Sequence, residues 1–268
     1  MPPFQAFIID RRQKIEIFYE SLFYKLPVMR KLFYLLPVIL FISSCDFMTG
    51  ERVRGNGNVV TLDRQVGTFS GVRSSGSFDV YISEGPTSTI RIEAEENLQE
   101  YIETDLDGDI LRISTRDGIN ILAKRDMKIY ITAPSYSMVR ISGSGNIVSQ
   151  TRIKSDRKIE LGISGSGDIN VELDAPDVTA EISGSGTINL KGKTQKLHTE
   201  INGGGDIHAF DLKSEDARVE ISGSGDAEIF ASQNLAIEVR GSGDVKYKGG
   251  ANVKSDIRGS GNVVKVDN

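Results

Sequence analysis

The feature that most constrains this chain is a recurrence. A glycine corner, Ile-Ser-Gly-Ser-Gly in its fullest form, returns with its first glycine at Gly143, Gly165, Gly184, Gly203, Gly223, Gly241 and Gly259. The steps between them are 22, 19, 19, 20, 18 and 18 residues. Two positions before each glycine stand Ile141, Ile163, Ile182, Ile201, Ile221, Val239 and Ile257; four positions after stand Ile147, Ile169, Ile188, Ile207, Ala227, Val245 and Val263. Around the corners apolar residues alternate, as in Leu235, Ile237 and Val239 or Ile169, Val171 and Leu173. A period of two means strands with one buried face. A unit this short cannot bury that face alone, so the repeats must stack. The pattern predicts an all-β chain, a parallel β-solenoid with turns of about 18–22 residues spaced about 4.8 Å apart.

Ser-Gly-Ser-Gly followed by Asp, Asn or Thr also looks like a phosphate-cradling or calcium loop. The fold accounts for it without a ligand. Glycine accepts positive φ where the backbone turns sharply, stacked corners favour small residues, and the Asp, Asn or Thr can bond nearby amides. The seven glycines are therefore read as structural. Nearer the amino terminus, Val53 to Val60 ("VRGNGNVV") reads as an eighth corner and Val72 to Ile82 ("VRSSGSFDVYI") as a degenerate ninth. Thr89–Ala94, Ile110–Ser114 and Met127–Thr132 alternate as strands. Glu95–Tyr101 suits one or two helical turns, and Asp107-Gly108-Asp109 suits a hairpin turn.

The single cysteine of the 268 residues excludes a disulfide framework and a multi-cysteine metal site. Its position is informative. Arg30 and Lys31, an apolar run from Leu32 to Ile42, then Ser43, Ser44 and Cys45 form a charged, apolar and small-residue series. The run is too short to span a bilayer. Ile42-Ser43-Ser44-Cys45 resembles a bacterial lipobox, whose cysteine is lipid-modified and becomes the first mature residue. The expected organisation is a lipoprotein signal peptide at 29–44, lipidated Cys45, a short tether to 52 and a β-helical domain at 53–268. Residues 1–28 fit no secretory pattern, so the start is expected at Met29. The net charge of −5 and the lack of a long basic run argue against nucleic acid as a partner.

Three segments in order, "FSGVRSSGSFDVYISEG", "ENLQEYIETDLDGDILRIS" and the late "ISGSGDI" corners, resemble the head GIN domain family of autotransporter-type adhesins, many with lipoprotein signals. The resemblance runs from about Val53 to Asn268. It implies a right-handed parallel β-helix related in shape to pectate-lyase-like folds. It also implies a role in adhesion at the bacterial envelope, with no catalytic residues to carry over.

Other chemistries find weaker support in the residues themselves. Asp168, Asp206, Asp226 and Asp244 align three residues after their first glycines, as lyase carboxylates would, but no singular basic residue stands beside them. His198 and His208 lie on different strands, with no second ligand type nearby. Asn202 to Phe210 ("NGGGDIHAF") resembles a calcium β-roll nonapeptide, yet Gly205 abuts Asp206 where that motif needs an intervening residue. Three residues before the corner, Glu181, Glu200, Glu220, Glu238 and Asp256 predict an outward acidic ladder, with Arg218, Lys254, Arg240 and Arg258 one alternation away. It reads as a solvated face or, alternatively, a row recruiting cations or a basic ligand. Phe210 and Phe230 are expected to stack in a core or corner ladder, and Tyr247 to face inward. The expectation is thus a non-catalytic, lipid-anchored envelope protein, in the outer membrane, with either face open. Its solenoid side offers a surface to a protein or glycan, and no catalytic residue, metal or cofactor is implied. The alternatives are a purely structural envelope protein, a polysaccharide lyase-like enzyme and a calcium-binding solenoid.

Overall fold

The computed structural model describes residues 50–267. Cys45, the proposed signal peptide and the segment before it lie outside these residues. Gly50–Asn268 form one compact unit. It is a parallel β-solenoid, and its ladder can be followed glycine by glycine. Gly76 pairs with Gly143, Gly143 with Gly165, and the register continues through Gly184, Gly203, Gly223 and Gly241 to Gly259. Each first glycine has a φ between +119° and +148°, a region L side chains avoid.

The strands run on from one turn to the next. Asp168–Gly184, Thr187–Gly203 and Asp206–Gly223 each leave one corner, round the outer connection and reach the next corner. Inward positions carry Ile, Leu, Val and Ala and are buried, among them Ile182, Ile201, Ile221, Leu197 and Val219. At about 25 cal/mol per Å² of apolar surface, this stacked column is the main stabilising term.

The corners explain their own composition. At Gly203 the positive φ is joined by a close approach: a Cβ there would lie 2.3 Å from the Gly184 carbonyl oxygen. That oxygen cannot retreat, because it accepts the Gly204 amide at 2.9 Å. The second glycine, Gly205, has no φ constraint, but its Cβ would meet the Gly186 oxygen at 2.5 Å and Ile182 Cγ2 at 2.6 Å. Phe78 holds this second position in the Gly76 corner. No glycine corner lies beneath it, so a ring fits where later turns tolerate no Cβ.

The Val72–Ile82 segment is therefore a true corner, whereas Val53–Val60 is not. The strand Glu51–Arg54 pairs in parallel with Ile119–Leu122 in a separate two-stranded sheet, and Val59–Arg64 runs antiparallel to Thr89–Glu95. The Gly55-Asn56-Gly57 bend instead wraps a side chain: Gly57 and Lys124 amides bond the fully buried carboxylate of Glu95, which lies where a Gly55 Cβ would be.

Between Gly76 and Gly143 the chain builds the end of the solenoid. Lys128–Ala133 and Ile110–Thr115 lie parallel on the two strands of the Gly76 turn. Antiparallel partners then follow, Thr89–Glu95 on the former and Ile102–Asp107 on the latter. The expected helical turns form as a 3-10 helix, Glu96–Tyr101, and the hairpin turns at Gly108 with φ +64°. Phe69, Phe78 and Tyr136 fill this region. Tyr136 donates its hydroxyl to the Ser83 carbonyl at 2.9 Å, and burial raises its pKa far above the ordinary phenol value.

Candidate functional site

The strands leading into the corners present three outward columns. The middle one, three residues before the glycine, contains the predicted ladder in register: Glu181 pairs with Glu200, Glu200 with Glu220, Glu220 with Glu238 and Glu238 with Asp256. The same column extends beyond the acids. Gly162 pairs with Glu181, Arg140 with Gly162, Arg73 with Arg140, and Arg112 with Arg73. One end of the face is thus basic and the other acidic, with a glycine at the junction. Sequence reasoning missed the basic end, although Arg73 and Arg140 also stand three residues before a corner glycine.

Flanking columns neutralise most of the acids. Arg218 bonds Glu220 and reaches Glu238 at 4.0 Å; Arg240 bonds Glu238, and Arg258 bonds Asp256 at 3.0 Å. Arg140 folds over Gly162, whose absent side chain leaves it room, to reach Glu181 at 3.2 Å and Glu160 at 3.5 Å. Hydrogen bonding from Lys158, with a further contribution from Arg140, holds the Glu160 carboxyl below the usual carboxylate range despite partial burial. Among the described residues, Arg73, Glu200 and Lys254 have no ion-pair partner in these columns. Glu200 accepts only the Asn202 amide, at 2.7 Å. Lys254, one alternation from the row, thus pairs with none of its acids, unlike Arg218, Arg240 and Arg258.

Arg73 and Glu200 line opposite ends of a groove of about 460 Å³ that crosses Arg140, Gly162 and Glu181. Ser142, Ser164 and Ser183, from the column next to the corner, add hydroxyls along one side. Arg140 Nε is buried without a hydrogen-bond partner.

The other sequence candidates have structural roles. Asp206 Oδ1 accepts the amide of Asp226 at 3.0 Å, Asp226 that of Asp244 at 2.8 Å, and Asp244 that of Asn262 at 2.8 Å. Asp168 does the same for Thr187 at 3.2 Å. These carboxylates hold backbone amides from turn to turn, which explains their alignment. His198 and His208 are on different faces; His208 Nδ1 lies 3.0 Å from Glu228. The phenylalanines differ from the expected core or corner ladder, since their rings do not stack on each other. Phe210 and Phe230 are half-buried, and each ring carries a lysine ammonium, Lys248 at 4.8 Å and Lys213 at 4.0 Å. The aromatic stack lies elsewhere, between Tyr81 and Tyr130 with centroids 5.0 Å apart. Tyr247 packs against the core as expected.

Among the described residues no cluster of three or more His, Cys, Asp or Glu side chains converges as a metal site would. No curated protein matches the sequence. The fold is shared with crystal structures. A "putative adhesin" from Bacteroides fragilis superposes with TM-score 0.74 at 21% identity, covering 80% of this chain and 100% of that one. A "putative lipid binding protein" from Parabacteroides distasonis gives 0.70 at 23% identity, covering 81% and 100%. A "putative adhesin" from Parabacteroides merdae gives 0.64 at 25% identity, covering 80% and 99%. A family model described as "Putative auto-transporter adhesin, head GIN domain" matches residues 68–251. With that match spanning most of the sequence and the corner-by-corner register beneath it, the chain belongs to the head GIN domain family.

Proposed function

We propose that this protein is a non-catalytic adhesin of the bacterial envelope, anchored by lipid on Cys45, that presents the charged face of its solenoid to a partner. The observation that carries this reading is the face itself: rigid strands hold ion-paired columns around an open groove. The acids that a lyase mechanism would use are engaged with backbone amides instead. Catalysis needs groups that converge on a reacting atom, whereas this face distributes its groups along an axis, a geometry suited to recognising an extended ligand. Membership of an adhesin-like family agrees with it.

The anchor rests on sequence: the charged segment, the short apolar run and Ser43-Ser44-Cys45. One experiment addresses both parts. Cells expressing the wild type should incorporate a fatty-acid analogue into the protein, retain it in membranes and attach to a binding surface. Cys45→Ala should lose the label and release the protein. Membrane retention without label would overturn the anchor. Unchanged attachment on deleting the protein would overturn the adhesin reading.

A further inference from the structure

We propose that the groove between Arg73 and Glu200 binds an acidic glycan, taking a sugar carboxylate at its arginine end and sugar hydroxyls at its Glu200–Asn202 end. This rests on the binding role proposed above and names the ligand class.

The argument begins with the pairing on this face. Arg140, Arg218, Arg240 and Arg258 each hold a neighbouring carboxylate. The guanidinium of Arg73 and the carboxylate of Glu200 are left over, and both line the groove. Arg73 also has arginines on both neighbouring turns, Arg112 and Arg140. Of these three, Arg112 reaches Asp107 at 4.0 Å and Arg140 holds Glu160 and Glu181, so among the described residues Arg73 keeps an unpaired planar fork, which suits a carboxylate.

The other end has the opposite chemistry. Glu200 keeps acceptor capacity beyond its bond to Asn202, and a carboxylate repels anions but accepts hydroxyl donors well. Ser142, Ser164 and Ser183 provide further hydroxyls between the ends. Among the described residues no aromatic side chain lines the groove, and its isoleucines, Ile141, Ile163 and Ile182, are buried, which disfavours a peptide, since peptide recognition relies on apolar anchors. Arg73 and Glu200 are four turns apart on one column, or about 19 Å at strand spacing. That span exceeds a single small anion and fits several linked sugar units. The net charge of −5 opposes general attraction of polyanions, so capture must be local.

The test uses the purified full chain in detergent and hyaluronate, in which uronate alternates with a neutral sugar. Hyaluronate in a native gel should retard the protein, and dextran, which is neutral, should not. Arg73→Ala should weaken binding roughly tenfold, as expected for one lost charge-assisted contact. Glu200→Gln should weaken it several-fold, while Lys254→Ala, outside the groove, should leave it unchanged. Inorganic polyphosphate supplies the anion arm. Binding of polyphosphate equal to hyaluronate, with Glu200→Gln tightening both, would reduce the groove to an anion patch and overturn the proposal. So would equal losses in Arg73→Ala and Lys254→Ala, or no retardation by hyaluronate. If hyaluronate fails while cell attachment still depends on the protein, only the ligand class falls.

Discussion

Gly203 answers two demands with one missing atom: a φ of +137°, and a neighbouring carbonyl oxygen too close to admit a Cβ. Gly203→Val should therefore destabilise the protein by about 1–3 kcal/mol in denaturant unfolding. Ser224→Ala, at an exposed corner position, should stay within about 0.5 kcal/mol; a larger loss there would mean the serines bear load. Glu95 is the residue that pattern reading did not find. Burial alone would raise its pKa, but backbone amides of Lys124, Gly57 and Arg125 and the Lys124 charge outweigh burial and lower it. A depressed folded pKa contributes stability above the unfolded value, about 4.3, that is lost as pH falls through the folded value. Glu95→Gln should cost about 1–3 kcal/mol at neutral pH, by forcing an amide group against those donors. The Tm gap from wild type should close in acid; a gap constant with pH would show that the charge is not what matters.

Each strand before a corner offers one residue to each outward column, so the element's sequence becomes a surface pattern by stacking. Like charges in register repel, and the face avoids this by placing arginines in the flanking columns. Exposed pairs of this kind contribute only about 0–1 kcal/mol each, so they shape the surface rather than drive folding. Their occupancy also bears on calcium. Glu220, Glu238 and Asp256 already have cationic partners, and calcium favours six to eight oxygens. Melting in millimolar calcium and in chelator should therefore give nearly the same Tm. A bound ion at a hundredfold excess over Kd would add about 2.7 kcal/mol, or about 5–11 °C. Such a rise, lost in Glu200→Gln/Glu220→Gln, would make the ladder a cation site.

The described molecule has two unlike ends. The Gly76 turn is covered by strands and finally by antiparallel partners. At the other end, Asn252–Gly259 pairs only with the Ala227–Gly241 strand, and Val263–Lys265 only with Val245–Lys248. Ile257 and Val264 are 37% and 50% exposed there. Solenoid stability is close to a sum over neighbouring turns, so a turn with one neighbour opens first. Hydrogen exchange of the full chain should show fastest uptake in Asn252–Gly259 and Val263–Lys265. It should be slowest in Asp168–Gly184 and Thr187–Gly203. Uniform protection would imply a further contact covering the exposed end.

The sequence by itself determined the repeat, the strand period, the seven later corners and the order of the acidic ladder. Each of these is local: one turn's needs recur at a fixed offset, so counting residues places them. Even the Asp row was visible as an alignment, though its bonds to the next turn's amides were not. Only the tertiary structure decided what depends on contacts across many residues. "VRGNGNVV" has the spelling of a corner, yet its bend closes on Glu95 because antiparallel pairing takes its strand out of the stack. Arg73 precedes Arg140 by 67 residues, with the end of the solenoid built between them. Their adjacency, and the groove it opens beside Gly162, follows from strands that meet in space rather than in sequence.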